Sequence, residues 1–199
     1  MPWIAIALSR DVPPENTRAV RVEGREIVIW RGADGEAHVW EDRCPHRGMR
    51  LSFGFVRGTV LNCLYHGWRY GASGSCAGIP AHPDLTVPPT IKANAFPMRE
   101  AGGLIWTRFD EGADEPPALP EGLVPVVSTV FAVSEDAVRD DIGADVVATM
   151  DGGLATVYLA LHRISSERTM VHAVTKDDPR RAWSFVKSLR DAIERQHAG

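Results

Sequence analysis

Two short segments of the chain each carry one cysteine and one histidine. The first reads Cys44-Pro45-His46-Arg47-Gly48 and the second reads Cys63-Leu64-Tyr65-His66-Gly67-Trp68. Thiolate sulfur and imidazole nitrogen are metal ligands, and four of them can hold one tetrahedral zinc ion or a cluster of two irons. The pattern Cys-x-His, sixteen residues, Cys-x-x-His therefore predicts a metal centre. Its expected ligands are Cys44, His46, Cys63 and His66.

The distribution of ligand types distinguishes the two kinds of centre. Zinc fingers usually take two cysteines from one segment and two histidines from another. Here each segment supplies one of each, so one iron can take both thiolates and the other both imidazoles, as in a Rieske 2Fe–2S cluster. Spacing alone leaves structural zinc open. Cys76, the third cysteine, lies in the Gly/Ser-rich run GASGSCAG and is predicted to be a free loop thiol.

The residues around these segments resemble the Rieske domain of Rieske non-haem iron oxygenases, the aromatic-ring-hydroxylating type. The similarity rests on CPHRG and CLYHGW, and extends in order through IVIWRGADG, GWRY and GGLIW, over about residues 3 to 110. It implies that Cys44 and Cys63 hold an inner iron, and that His46 and His66 hold an outer, solvent-facing iron. Met49 and Tyr65 stand where respiratory relatives carry a disulfide, which indicates the oxygenase branch and a reduction potential toward the low end of roughly −150 to +300 mV.

Neighbouring residues have expected roles. Gly48 and Gly67 permit tight turns, so that backbone N–H groups can point at the sulfurs and raise the cluster potential. Tyr65 and Trp68 can shield one side of the cluster, and Trp68 is equally well explained as a core residue.

The elements that must position these loops are short strands. Runs such as RAVRVEG, REIVIWR and AHVWED, separated by Gly and Pro at spacings near ten residues, predict a mainly β fold. We expect a Rieske-type antiparallel β domain over residues 1–112. The segment 113–125 is rich in proline and acidic residues and is predicted to be a linker.

Residues 126–199 are predicted to form a small α+β unit, an antiparallel hairpin or sheet plus a C-terminal helix. SEDAVRDDI indicates a short helix, and TVYLALHRI and TMVHAVT flank the turn SSER. Asp178-Pro179 opens the last helix, since Asp is a good N-cap and Pro is favoured at the first position. Its apolar stripe comprises Ala182, Phe185, Val186, Leu189 and Ile193.

This C-terminal segment is similar to the end of an oxygenase catalytic domain, but shortened. The two-histidine, one-carboxylate motif that holds mononuclear iron is missing, with the gap near residues 131–145, so no mononuclear iron is expected. The nearest remnant is His162 with His172, which share a face only if the connecting loop has an odd number of residues. A carboxylate would have to come from Asp145, Asp151 or Glu167.

Composition bounds the partners. The 199 residues carry a formal net charge of −4 with a pI near 6.0, which gives no basic footprint for nucleic acid. The apolar run near the N-terminus is too short for a signal peptide, and no run approaches a membrane span. A cytoplasmic protein without membrane association is expected.

Three functions are compatible with these features. The leading prediction is a Rieske electron-transfer protein that takes single electrons from a reductase and passes them to a redox acceptor protein. The second is a complete oxygenase acting on a small organic substrate, which requires a substrate pocket in residues 126–199. The third is a non-catalytic subunit that docks on an oxygenase, and either a homo- or a hetero-oligomer would suit it.

Overall fold

The computed structural model describes residues 3–110, 112, 114–143, 147–151 and 155–198, without the side chains of residues 147, 148 and 151. It is mainly β, as predicted. The strands are β1 Ile4–Leu8, β2 Asn16–Val22, β3 Arg25–Arg31, β4 Ala37–Glu41, β5 Phe55–Arg57, β6 Val60–Asn62, β7 Arg69–Tyr70, β8 Cys76–Gly78, β9 Ala95–Phe96, β10 Met98–Ala101, β11 Leu104–Thr107, β12 Val124–Phe131, β13 Val147–Asp151, β14 Thr156–Ser165 and β15 Arg168–Thr175. The helices of the described ranges are α1 Glu135–Ile142 and α2 Pro179–Gln196, with 3₁₀ turns at Ser9–Asp11 and Leu51–Phe53.

Contacts divide the chain into two compact units. One, the loop unit, comprises Asp11–Arg21 and Arg25–Met98. The other, the helix unit, comprises Met1–Arg10, Val22–Gly24 and Arg99–Gly199. This division differs from the 1–112 boundary expected from the sequence, because β1, β10 and β11 form a sheet of their own that is grouped with the C-terminal strands.

The loop unit contains two antiparallel sheets, ordered β2-β3-β4-β9 and β5-β6-β7-β8. The turn between β3 and β4 contains Asp34-Gly35, where Gly35 has φ 86°, a conformation that glycine adopts without steric cost. Each predicted ligand segment begins just after a strand ends: the first follows β4 and the second follows β6. The sheets therefore fix the starting points of the two loops.

The helix unit contains the sheets β1-β11-β10 and β12-β15-β14-β13. Side chains alternate along β14 and β15, so that one face packs against α1 and α2 and the other against Trp3, Leu104 and Trp106. The predicted stripe of α2 is buried or half-buried there, and Asp178 caps the helix by accepting a hydrogen bond from the Arg180 N–H. The predicted short helix also forms, with Ser134 as its N-cap.

Two local predictions need correction. Strand β12 begins at Val124, inside the segment expected to be a linker, and a register shift between Pro125 and Val127 accommodates the proline. Cys76 is free, as expected, but it begins β8 opposite Tyr70 instead of lying in a loop. Within the described part of the chain, no helix combines the length and apolar character that crossing a membrane requires.

Candidate metal centre

The two loops that carry the predicted ligands have the same internal hydrogen bonds. In the first, Cys44 N–H donates to the Met49 carbonyl at 2.8 Å and Gly48 N–H to the Cys44 carbonyl at 2.8 Å. In the second, Cys63 N–H donates to the Trp68 carbonyl at 2.9 Å and Gly67 N–H to the Cys63 carbonyl at 3.0 Å. The two loops are thus two copies of one turn, although their histidines occupy different positions within it.

A glycine closes each turn because the backbone there is left-handed. Gly48 has φ 72° and Gly67 has φ 68°, values that other L-residues rarely adopt. A Cβ on Gly67 would also approach the Pro80 ring at 3.1 Å. The role expected of the two glycines in tight turns is therefore met by their conformation.

The two cysteines meet in the interior. Cys44 is 2% exposed and Cys63 is 1% exposed, and both pack in one apolar cluster with Leu51, Leu61 and Tyr70. Burial raises the pKa of the Cys63 thiol, the neighbouring Cys44 raises it further, and hydrogen bonds from the Tyr65 and His66 backbone N–H groups lower it. Those N–H groups point at the sulfur, as expected for a thiolate ligand of a cluster.

The two histidines meet at the surface. Their ring centroids are 4.7 Å apart, with His66 exposed and His46 half-buried. The Trp68 ring stacks on His46 at 4.2 Å and 8°, while the Tyr65 ring lies 3.8 Å from His66. Trp68 also packs on the apolar cluster, so it contacts both His46 and the core.

One buried polar atom of this pair has no hydrogen-bond partner. His46 Nδ1 is shielded from solvent and accepts or donates no hydrogen bond among the described residues. An unpaired buried nitrogen is costly unless another ligand satisfies it, and coordination to a metal would do so. Burial, then His66 and Arg47, lowers the pKa of His46, which favours the neutral imidazole that metal coordination requires.

The fold therefore sorts ligands by type, although the sequence interleaves them. The thiols lie side by side in an apolar interior, and the imidazoles lie side by side at its solvent edge. A single zinc ion has all four donors around one point. Two layers of unlike donors instead fit two irons, one held by sulfur and one by nitrogen.

Tyr70 contributes a contact that the sequence did not reveal. Its hydroxyl lies 3.1 Å from Cys44 Sγ, inside the apolar cluster. Burial, and then Cys44, raises the pKa of Tyr70, so the hydroxyl stays protonated and can donate to a thiolate. Tyr70 ends the run GWRY, but nothing in that run indicates this contact, since only the pairing of β6, β7 and β8 brings Tyr70 next to the first loop.

Asp42 anchors the base of the first loop, another contact that spacing does not show. Its carboxylate accepts from Ser52 N–H at 2.7 Å and from Ser52 Oγ at 2.6 Å, and Asp42 is itself buried. Arg50, which lies between Asp42 and Ser52, forms an ion pair with Glu26 on β3. A polar clamp thus braces the loop, in a chain whose three cysteines are all unpaired.

Comparison with known proteins identifies this domain. Residues 2–89 match the family model described as the Rieske [2Fe-2S] domain. The chain therefore carries a Rieske domain, with homologues among the Rieske oxygenases, and its cofactor is a 2Fe–2S cluster. Structural zinc, the alternative that spacing alone left open, is thereby set aside.

Relatives share this part of the chain. Oxidoreductase NdmD of Pseudomonas putida is 38% identical over 145 residues, which is 72% of this chain and 24% of that protein. The 4beta-methylsterol monooxygenase of Methylococcus capsulatus is 40% identical over 108 residues, 52% of this chain and 29% of that protein. The chain thus spans about a quarter of the length of these relatives.

Solved structures show the same fold over nearly the whole chain. Dicamba monooxygenase without ligand matches with a TM-score of 0.76 at 17% identity, covering 98% of this chain and 87% of that one. NdmA of Pseudomonas putida matches with a TM-score of 0.74 at 19% identity, covering 98% and 79%.

His162 and His172, considered above as the remnant of a mononuclear iron site, lie on the same face of their sheet. The turn between β14 and β15 has two residues, Ser166 and Glu167, which alone would place His162 and His172 on opposite faces. A bulge between Arg163 and Ser165 shifts the register by one residue, so His162 pairs with Met170 and His172 with Ala160.

Three of the four ring nitrogens of this pair lie within hydrogen-bond distance of protein atoms. His162 Nδ1 lies 2.9 Å from the Ala5 carbonyl, and His172 Nε2 lies 3.3 Å from His162 Nδ1. His172 Nδ1 lies 2.8 Å from Ser128 Oγ. The structure thus places both histidines in a buried hydrogen-bond network between sheets. Of the candidate carboxylates, Glu167 lies in the exposed turn, while Asp145 and the side chain of Asp151 lie outside the part of the chain that the structure describes.

Proposed function

We propose that this protein is a one-electron carrier, with Cys44 and Cys63 as ligands of the inner iron and His46 and His66 as ligands of the outer iron. The bound cluster supplies reversible one-electron transfer. The protein's own contribution is to bury the sulfur side, donate N–H and O–H hydrogen bonds to it, and leave the imidazole side accessible to another protein.

The sorting of ligands by type is the observation that supports this proposal most strongly. Adjacent buried thiols, adjacent surface imidazoles and the orphaned His46 Nδ1 are what a Rieske centre requires. The exposed edge of His66 makes it the expected point of electron exchange with a docked protein.

The partners are proposed from the kinds of protein in which related Rieske domains occur. We assign a reductase as electron donor and an oxygenase as acceptor, since monooxygenases and demethylases are among the relatives. Residues 1–112 would be the Rieske domain, the residues from 113 up to the start of β12 at Val124 the linker, and the rest a shortened catalytic-type segment. Three unpaired cysteines favour a reducing compartment, the cytoplasm.

The test is the content of iron, zinc and acid-labile sulfide per chain after purification without air, combined with redox titration. Two irons, two sulfides and one-electron reduction are expected. His46→Ala is expected to abolish the visible iron–sulfur absorption while the far-ultraviolet circular dichroism is kept. A third iron at two sulfides would instead favour the complete oxygenase, and His46→Ala protein with an unchanged spectrum would contradict the ligand assignment.

A further inference from the structure

Exposed apolar side chains are concentrated around the second ligand loop. Phe53, Phe55, Leu64 and Tyr65 are between 43% and 59% exposed. Leu64 and Tyr65 lie within the loop itself, and Phe55 pairs with Asn62, the residue before Cys63. Single exposed apolar residues are ordinary, whereas several beside one functional loop mark an interaction surface.

Arginines share this surface. Directly opposed residues in antiparallel strands point to the same face, so Phe55, Asn62 and Arg69 form one row across β5, β6 and β7. Arg57, two residues after Phe55, lies on that face too, with its guanidinium 5.5 Å from the Phe55 ring centre. We name the four apolar residues together with Arg47, Arg57 and Arg69 the cluster face.

The charge of the chain is segregated. Residues 43–83 contain five arginines and no Asp or Glu. The remaining residues carry 17 basic and 26 acidic side chains, a formal net charge of −9. The overall net charge of −4 thus conceals a basic segment around the ligands.

Most of this positive charge is available to a partner. Arg50 is paired with Glu26. Within the described residues, Arg47, Arg57 and Arg69 are exposed and make no ion pair. Guanidinium groups are suited to carboxylates, which they bind through two parallel hydrogen bonds.

From these observations, and resting on the electron-carrier function proposed above, we infer that the cluster face is the docking surface for an acidic one-electron carrier protein. A small apolar patch edged by like charges is typical of weak electron-transfer encounters, which bury less than about 1,200 Å². A stable pair of copies of this chain would need a larger and more apolar interface. Charge complementarity would speed the encounter and orient the partner toward His66.

The experiment measures binding to a probe, an oxidised plant-type 2Fe–2S ferredoxin with an acidic surface. The ¹⁵N-labelled ferredoxin is titrated with the full cluster-loaded protein and followed by NMR. At low salt, Arg57→Glu and Arg69→Glu are each expected to raise the dissociation constant about tenfold. Near 1 M salt, where the screening length is about 3 Å, wild type and variants should converge. Phe55→Ser should weaken binding at both salt concentrations, since it removes an apolar contact that salt does not screen.

Matched controls lie on the helix unit. Arg180→Glu makes the same charge change in the first turn of α2, where an acidic residue is tolerated, and Val124→Ser removes an exposed apolar residue from β12. Both should leave the dissociation constant unchanged. The inference is overturned if Arg180→Glu weakens binding as much as Arg57→Glu, if salt has no effect, or if sedimentation shows a dimer of this chain that Phe55→Ser converts to a monomer.

A separate readout isolates the proposed function. Each protein is reduced with dithionite and its cluster absorption is recorded. Failure of dithionite to reduce the wild-type cluster would contradict the electron-carrier proposal. Normal reduction with charge-independent ferredoxin binding would contradict the docking inference alone.

Discussion

Each unit of this protein holds two histidines in ring contact, and the two pairs differ in almost every other respect. His46 and His66 lie 4.7 Å apart on loops at the solvent edge, next to two buried thiols. His162 and His172 lie 5.3 Å apart on strands, and both are buried. Proximity of imidazoles therefore does not by itself define a metal site.

The difference lies in what satisfies the ring nitrogens. The buried pair is joined to the Ala5 carbonyl, to Ser128 and to itself. In the loop pair, His46 Nδ1 is buried and has no hydrogen-bond partner among the residues that the structure describes. An unpaired ring nitrogen beside two buried thiols is available to a metal, whereas ring nitrogens already hydrogen-bonded within the protein favour a structural role.

The largest expected effect comes from removing a ligand of the loop pair's centre. Cys63→Ser should eliminate nearly all bound iron and sulfide, since the inner iron would lose a thiolate that no other described residue replaces. His172→Gln, made in parallel, should retain both. Metal and sulfide analysis of the two proteins checks this, and equal loss in both would erase the distinction between the pairs.

The second effect is on the free energy of unfolding, and it should be large only for substitutions in the buried pair. His162→Leu removes the group that His172 Nε2 and the Ala5 carbonyl share, and leaves buried polar atoms unpaired. A loss of about 1 to 3 kcal/mol in the free energy of unfolding is expected. Urea unfolding of the cluster-free protein provides the measurement. His66→Leu, on the exposed side, serves as control and should lose much less.

The third effect is a pH dependence of the cluster-free protein. Burial raises the pKa of Cys63 above its ordinary value of 9.0, so the folded state holds this proton more tightly than the unfolded state does. The corresponding stability is present below pH 9 and is lost as pH rises through the folded pKa, by up to about 1.4 kcal/mol per pH unit. Urea unfolding at a series of pH values, for wild type and Cys63→Ala, should show a steeper alkaline loss in wild type. If the free energy of unfolding falls equally with pH in the two proteins, Cys63 is not the source of the pH dependence.

The smallest effect is on the reduction potential. Tyr70→Phe removes a hydrogen bond to Cys44 Sγ, which stabilises the more negative, reduced cluster. A net hydrogen bond of about 0.5 to 1.5 kcal/mol corresponds to a decrease of roughly 20 to 60 mV for one electron. Tyr158→Phe, on β14, is the matched control. A spectroscopic redox titration with no shift for Tyr70→Phe would remove the hydroxyl from the potential-setting contacts.

Much of the fold followed from the sequence because local chemistry specified it. Short Val- and Ile-rich runs separated by turn residues gave the strands, and Asp178-Pro179 with its apolar stripe gave α2. The ligand segments were recognisable because thiol and imidazole at fixed spacing have few other uses. The extent of β12 was less clear, since a register shift makes room for Pro125.

What the sequence alone determined was the set of candidate ligands, the cofactor class that their types and the resemblance imply, and the order of the elements. What only the tertiary structure decided was which groups meet. It placed thiol beside thiol and imidazole beside imidazole, brought Tyr70 under Cys44, and shifted β14 by one residue so that His162 and His172 share a face. The physical reason is that strand pairing and burial act between residues far apart in the chain, whereas spacing and propensity act only on near neighbours.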